Sequence, residues 1–330
     1  MTEADERILA DFDRKLPRGL ARAISRAESG AGAELMHAVF GRTGRAMTVG
    51  LTGPPGVGKS TLCSELVGVA RRDGKTVGVI SVDPSSPFSQ GAILGDRIRL
   101  TEHFTDPDVF IRSMASRGHL GGLAGATGDA VAFMDAFGMD VVIVETVGVG
   151  QSEIEIAELA DTTLVALQPG SGDSVQLLKA GILEVADIFV VNKADHPMAL
   201  QLQREIHSMM EMLDFSGWVP ELVATRARDG IGIDELWAAI GRHAEYLRVS
   251  GELEAKRKTA FAHRVRALVI GDLERRVDAR IADRIGRTNG SAEDPYGAAR
   301  EILADVETAL PESQTRPATR RTTRASVKGL

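Results

Sequence analysis

Between Gly53 and Thr61 the chain reads Gly-Pro-Pro-Gly-Val-Gly-Lys-Ser-Thr, a glycine, four residues, then Gly58-Lys59-Ser60. That spacing suits a chain of phosphates. Gly53, Gly56 and Gly58 let the backbone pass close to an anion and turn its N–H groups inward. Pro54, Pro55 and Val57 fill the loop between them, and Thr61 stands where a helix would start. Such a helix adds the positive end of its dipole. Lys59 can reach the β and γ phosphates, and the Ser60 hydroxyl can ligate Mg²⁺.

Asn192-Lys193-Ala194-Asp195 forms a second group. A carboxylate at Asp195 can accept hydrogen bonds from guanine N1–H and the exocyclic N2 amine. Adenine has no hydrogen at N1 and would leave that carboxylate unmatched, which costs about 1–3 kcal/mol or more. Asn192 is expected to brace the loop, and the Lys193 stem to lie along the base. Thr225-Arg226-Ala227 can close over the base edge through backbone groups.

Three carboxylates stand where they could complete a metal shell: Asp83, Asp96 and Glu145. Asp83 and Glu145 end apolar strands, the end at which ligands bind in open α/β sheets. After Glu145 comes Thr-Val-Gly-Val-Gly-Gln, where Gly148 can offer its N–H to a γ-phosphate. Gln151 could orient an attacking water or sit on the surface at a helix start. Asp173 and Lys179 are the charges on another glycine-rich loop and the helix it opens, as switch residues or as a cap and a solvated side chain. His119 lies in a further glycine-rich loop, Ser113 to Thr127, where solvation is the plainer reading.

Strands must hold these groups at one edge. Met47–Leu51, Lys75–Val82, Asp108–Ser113, Asp140–Glu145, Thr162–Gln168, Ala186–Val191 and Val219–Thr225 are apolar and partly β-branched, as buried parallel strands are. Helical spacing follows the phosphate loop over Leu62–Arg71 and recurs at Leu200–Leu213 and Gly232–Leu247. The expected fold is α/β, a P-loop NTPase with a mostly parallel central sheet flanked by helices. Residues 1–45 read as an N-terminal helical segment and 46–248 as the nucleotide-binding domain. Over 249–310 a charge-laced helical arm carries the apolar stripe Phe261, Val265, Leu268, Val269, Leu273 and Val277. A stripe of this kind must bury itself on something, and a second copy of the chain is the favoured answer. Residues 311–330 read as a disordered basic tail.

A formal charge of −7 argues against a nucleic-acid binder. No apolar run reaches the roughly 18 residues of a membrane span. The acidic start, Met1 to Glu6, is unlike a signal peptide. The single cysteine, Cys63, lies on the helix after the loop and reads as a packed, inert thiol. A cytoplasmic protein is expected, with no membrane and no nucleic-acid partner.

In this order, GPPGVGKST, DPSSPFSQGAILGD, VETVGVGQSE and VNKAD resemble the MeaB/ArgK family of P-loop GTPases. The resemblance covers about Thr48 to Leu247, and the flanking helices have the same placement. It implies a GTPase, slow alone, that gates cofactor loading to, or protects, an adenosylcobalamin-dependent acyl-CoA mutase such as methylmalonyl-CoA mutase. It further implies a homodimer, GTP and GDP as substrate and product, and no tightly bound organic cofactor. Mg²⁺ would lie near Ser60, Asp83, Asp96 and Glu145, with switch loops over 83–96, 145–153 and 170–179. Gln90 stands where the family usually has glycine, and Thr225-Arg226-Ala227 departs from its usual Ser-Ala-type base loop. An older family label, a kinase linked to lysine/arginine/ornithine transport, keeps small-molecule phosphorylation as an alternative. Metal insertion is the other alternative, although one cysteine and seven scattered histidines lack the usual ligand spacing.

Overall fold

Seven short apolar runs become seven parallel strands in the computed structural model, which describes residues 1–84, 97–116, 124–146, 152–174, 182–213, 215, 217–287 and 294–308. They are β1 (Met47–Thr52), β2 (Val77–Pro84), β3 (Val109–Ser116), β4 (Val141–Thr146), β5 (Thr162–Leu167), β6 (Ile188–Asn192) and β7 (Glu221–Thr225). Their order across the sheet is β3-β2-β4-β1-β5-β6-β7. Every pairing is parallel, so all carboxyl ends lie along one edge. The chain leaves β1 in one direction toward β2 and later returns to its other side with β5. This reversal is the switch point beside which open sheets bind ligands.

Both faces of the sheet are covered, which is why its strands are apolar throughout rather than alternating. On one face α4 (Lys59–Arg72) and α8 (Ile233–Ser250) pack with Leu62, Leu66, Leu236 and Ile240 against Val49, Leu51 and Ile143. On the other, α5 (Ala124–Phe137) and α6 (Ser152–Leu159) cover Ile80, Val82, Val142 and Val144. The N-terminal helices α1 (Glu3–Asp13), α2 (Pro17–Glu28) and α3 (Ala33–Val39) add Phe12, Leu20, Ile24 and Leu35 to this second layer. Phe12 meets the Phe137 ring edge-on at 5.1 Å between centroids. A third cluster joins β5 and β6 to α7 (Ala199–Met210) through Phe189, Val191, Leu202 and Ile206.

The stretch expected as a loop from Ser113 to Thr127 is ordered at both ends. β3 continues to Ser116 because it pairs with β2 along its whole length, through Pro84. α5 already begins at Ala124. Glycine disfavours helix by about 1 kcal/mol per residue, so a glycine-rich run reads as loop, yet packing against the sheet outweighs that preference. His119 lies outside the described residues.

At the amino-terminal edge of the sheet, charge replaces apolar packing. Asp161, just before β5, accepts from the Thr48 N–H at 3.0 Å and from Arg257 Nε and Nη2 at 3.1 and 2.9 Å. Arg257 also donates to the carbonyls of Gly44 and Ala46. Next to it, Asp187 accepts from the Thr163 N–H and from Lys256 Nζ, and faces His243 Nε2 at 3.3 Å. Burial lowers the pKa of His243 below the usual imidazole value, with the Asp187 charge opposing. Lys256 and Arg257 belong to the first turns of α9 (Glu252–Arg287), so these bonds fasten the root of that helix to β1, β5 and β6. Asp161→Ala leaves the buried Thr48 N–H unmatched and removes the carboxylate that balances the Arg257 charge. It should lower unfolding stability by about 3 kcal/mol, read as an earlier urea midpoint; an unchanged midpoint would mean the clamp contributes nothing.

The chain divides into two compact units, Met1–Leu268 and Val269–Leu330, within α9. In the second unit α10 (Pro295–Thr308) runs antiparallel to the end of α9, with Arg280 on Asp305 at 2.9 Å and Arg284 on Glu301 at 2.7 Å. Ile302 is buried there, whereas Ile281, Ile285 and Leu303 are exposed. In the first unit Phe261, Val265 and Leu268 are likewise exposed along α9. Among the described residues no helix is long and apolar enough to cross a membrane.

Candidate nucleotide site

Residues 53–58 leave β1 at the switch point and enter α4. Gly53 has φ +140°, and a Cβ there would stand 2.0 Å from the Ala166 carbonyl oxygen of β5. Gly58, at φ +97°, allows Asn192 Nδ2 to come within 2.7 Å of where its Cβ would be. Side chains at either position would push the loop off the sheet. Val57 is fully buried and anchors the middle. The first i→i−4 bond of α4 runs from Leu62 N to Gly58 O at 3.0 Å, and the Gly58 cap has no side chain. The N–H groups of Lys59, Ser60 and Thr61 therefore precede the helical ladder, facing the direction from which an anion is attracted.

Lys59 is buried and curls back into its own loop, where Nζ donates to the carbonyls of Gly53 at 2.7 Å and Pro54 at 3.0 Å. The Ser60 hydroxyl donates to Glu145 Oε1 at 2.7 Å, and both residues are buried. Sheet register explains this meeting: Glu145, the penultimate residue of β4, pairs with Leu51 of β1 and with Ser81 of β2. Asp83 lies two residues further along β2; its side chain, like Asp96, Gly148, Gln151 and Lys179, lies outside the described residues. Asp173 is exposed after β5. Burial, and then the nearby Glu145 charge, push the Cys63 thiol well above its usual pKa, so it stays protonated.

The second group arrives at the end of β6. Asn192 is buried and joins three segments. Its Nδ2 donates to Val57 O in the phosphate loop at 2.8 Å. Its Oδ1 accepts from Thr225 Oγ1 and from the Ala227 N–H, each at 3.1 Å. The Ala194 N–H donates to Thr225 O at 3.0 Å, and the Arg226 N–H to Ile231 O at 2.9 Å. Thr225, through its hydroxyl and carbonyl, and Ala227, through its N–H, thus buttress Asn192–Asp195, while Arg226 bonds to Ile231. Lys193 takes a left-handed backbone, φ +57°, and its Nζ donates to Gly56 O at 2.8 Å and to Gln168 Oε1 at 2.6 Å. Asp195 is exposed one residue beyond Ala194, open to a ligand edge.

Gln168 was not among the residues singled out from sequence. Its signal is positional: it is the first residue after β5, directly before Pro169-Gly170. Nothing in the local pattern indicates that its amide reaches Lys193.

The glycine-rich loop, the buried Ser60–Glu145 pair and the exposed Asp195 therefore lie along the carboxyl edge of one sheet. Residues 20–282 match the profile of the family described as methylmalonyl Co-A mutase-associated GTPase MeaB. The chain belongs to the MeaB family of GTPases. Its enzymatic activity is GTP hydrolysis, as its relatives are named GTPases. A Pyrococcus horikoshii protein named as a GTPase is 45% identical over 93% of this chain and 99% of its own. The GTPase ArgK of Escherichia coli is 37% identical over 77% of this chain and 81% of its own. The mouse mitochondrial methylmalonic aciduria type A homolog is 38% identical over 64% of this chain and 52% of its own. A solved structure described as an LAO/AO transport system kinase superposes with a TM-score of 0.67 at 26% identity, covering 93% of this chain and 99% of that one.

Proposed function

We propose that this MeaB-family GTPase attends an adenosylcobalamin-dependent acyl-CoA mutase, methylmalonyl-CoA mutase foremost, and gates or protects its cofactor. The observation that carries this reading is the family match over residues 20–282, whose description names that mutase. The mouse relative's name supports it.

In this reading Gly53–Thr61 wrap the phosphates, and Lys59 exchanges the carbonyls of Gly53 and Pro54 for phosphate oxygens. Asp195 reads the guanine edge, and Lys193 lies beside the base. The buried Ser60 hydroxyl and Glu145 carboxylate are hard oxygen donors 2.7 Å apart, a set that suits Mg²⁺. Ser60 and Glu145, with Asp83 and Asp96, would hold the ion, which when bound neutralises charge on phosphate oxygens. Lys59 and the loop N–H groups stabilise the charge that develops on the transferring phosphoryl group. Gly148 would add its N–H, Gln151 would orient the water, and Asp173 and Lys179 would switch with the nucleotide. The uncapped apolar stripe of Phe261, Val265 and Leu268 supports a homodimer through the helical arm. Light scattering should then return the mass of two chains, and the mass of one would remove the dimer.

Association with the mutase is tested by size-exclusion chromatography of the protein mixed with purified methylmalonyl-CoA mutase. Co-elution that depends on whether GDP or a non-hydrolysable GTP analogue is bound supports the reading. Separate elution in every nucleotide state contradicts it. The kinase name of the similar structure raises a second reading, separated by following labelled γ-phosphate: release into solution marks hydrolysis, and transfer to an added acceptor marks a kinase.

A further inference from the structure

The amide of Gln168 joins two loops that come from different strands. Its Oε1 accepts from Lys193 Nζ at 2.6 Å, and the same Nζ donates to Gly56 O in the phosphate loop at 2.8 Å. Its backbone is clasped by Ser174: the Gln168 N–H donates to Ser174 Oγ at 3.3 Å, and that hydroxyl donates back to Gln168 O at 3.1 Å. Ser174 is fully buried in the helical turn that begins at Gly172, and its hydroxyl ties that turn back to Gln168, closing residues 168–174. Gly170 lies near the same loop, where a Cβ added to it would stand 3.2 Å from His196 Cε1. The loop after β5 is therefore bonded to the loop after β6 at Lys193 and passes near His196.

We propose that Gln168 is a positioning residue that transmits the arrangement of residues 169–174 to Lys193 and on to the phosphate loop, and so sets how long guanine nucleotide stays bound. This rests on the reading that Lys193 lies beside the base. An acceptor held by a closed turn fixes the lysine's free end, and with it the stem that covers the base. If residues 169–174 rearrange, the Ser174 clasp opens, Gln168 loses its position, and Lys193 keeps only Gly56. Nucleotide then leaves faster, while Lys59 and Ser60 are untouched and the chemical step is unchanged.

The test is the release rate of methylanthraniloyl-GDP from the full chain, chased with excess GDP. Gln168→Ala and Ser174→Ala should each quicken release about 3- to 10-fold, the effect of losing a partly exposed charge-assisted bond. Gln168→Glu keeps an acceptor for Lys193 and should remain within about twofold of the unmodified protein. In a Lys193→Ala background, Gln168→Ala should add less than about twofold, because the two residues act as a pair. Release from Gln168→Ala within twofold of the unmodified protein overturns the proposal. So does an equal effect with and without Lys193, or no rescue by glutamate, since those mark a general loosening. Failure of the base assignment itself is distinguishable: Asp195→Asn would then leave base selectivity unmoved, whatever the Gln168 variants do.

Discussion

Asp195→Asn should convert a guanine-nucleotide site into a xanthine-nucleotide site. In the proposed function the carboxylate accepts two hydrogen bonds from guanine, at N1 and at the exocyclic amine. An asparagine amide keeps one acceptor and turns the other into a donor, which then faces the guanine amine. Xanthine carries a carbonyl at that position and restores the match. Losing one bond and opposing two donors costs roughly 3–4 kcal/mol, or about 100- to 1000-fold in GTP affinity. Competition of GTP and XTP against a fluorescent nucleotide measures it. Asp195 is exposed, so folding stability should stay within about 0.5 kcal/mol. An unchanged GTP-to-XTP ratio would mean that the base is read elsewhere.

The second large effect belongs to Lys59. Its buried ammonium is held in the loop by the Gly53 and Pro54 carbonyls and would exchange them for phosphate oxygens when nucleotide binds, in place ahead of the chemical step. Such preorganised charge stabilises a transition state without reorganising at the moment of reaction. Lys59→Ala should lower phosphate release at saturating GTP by about 100- to 1000-fold. Lys59→Arg should not restore it, because a planar fork does not fill the place of a compact ammonium. Retention of more than about a tenth of the rate in the alanine variant would remove Lys59 from the chemistry.

Much of this site is readable from the chain because its parts are local. A loop that must approach phosphates needs glycine at fixed offsets, and strands buried on both faces need continuous apolar residues. The positions of Gly53–Thr61 and Asn192–Asp195 at strand ends follow from those two facts. What holds the two groups together is not local. Asn192 and Val57 are distant in sequence and meet only because β6 and β1 end at the same edge, separated by β5. The same holds for Gln168 and Lys193, and for Arg257, whose position in a charge-laced helix gives no sign of its grip on Asp161. Charged residues read as solvated faces until topology brings a buried partner to them. No helix is expected from the sequence over α5 for the opposite reason: glycine and alanine carry little pattern, and the helix is stabilised by the sheet beneath it.

The measurement that bears most directly on the account is the rate of GTP hydrolysis by the purified protein, alone and with an adenosylcobalamin-dependent methylmalonyl-CoA mutase. Slow turnover alone and an acceleration of about tenfold or more with the mutase are expected, as a partner orders loops around the γ-phosphate. Fast turnover alone, or a rate that the mutase leaves unchanged while GTP still binds, would contradict it.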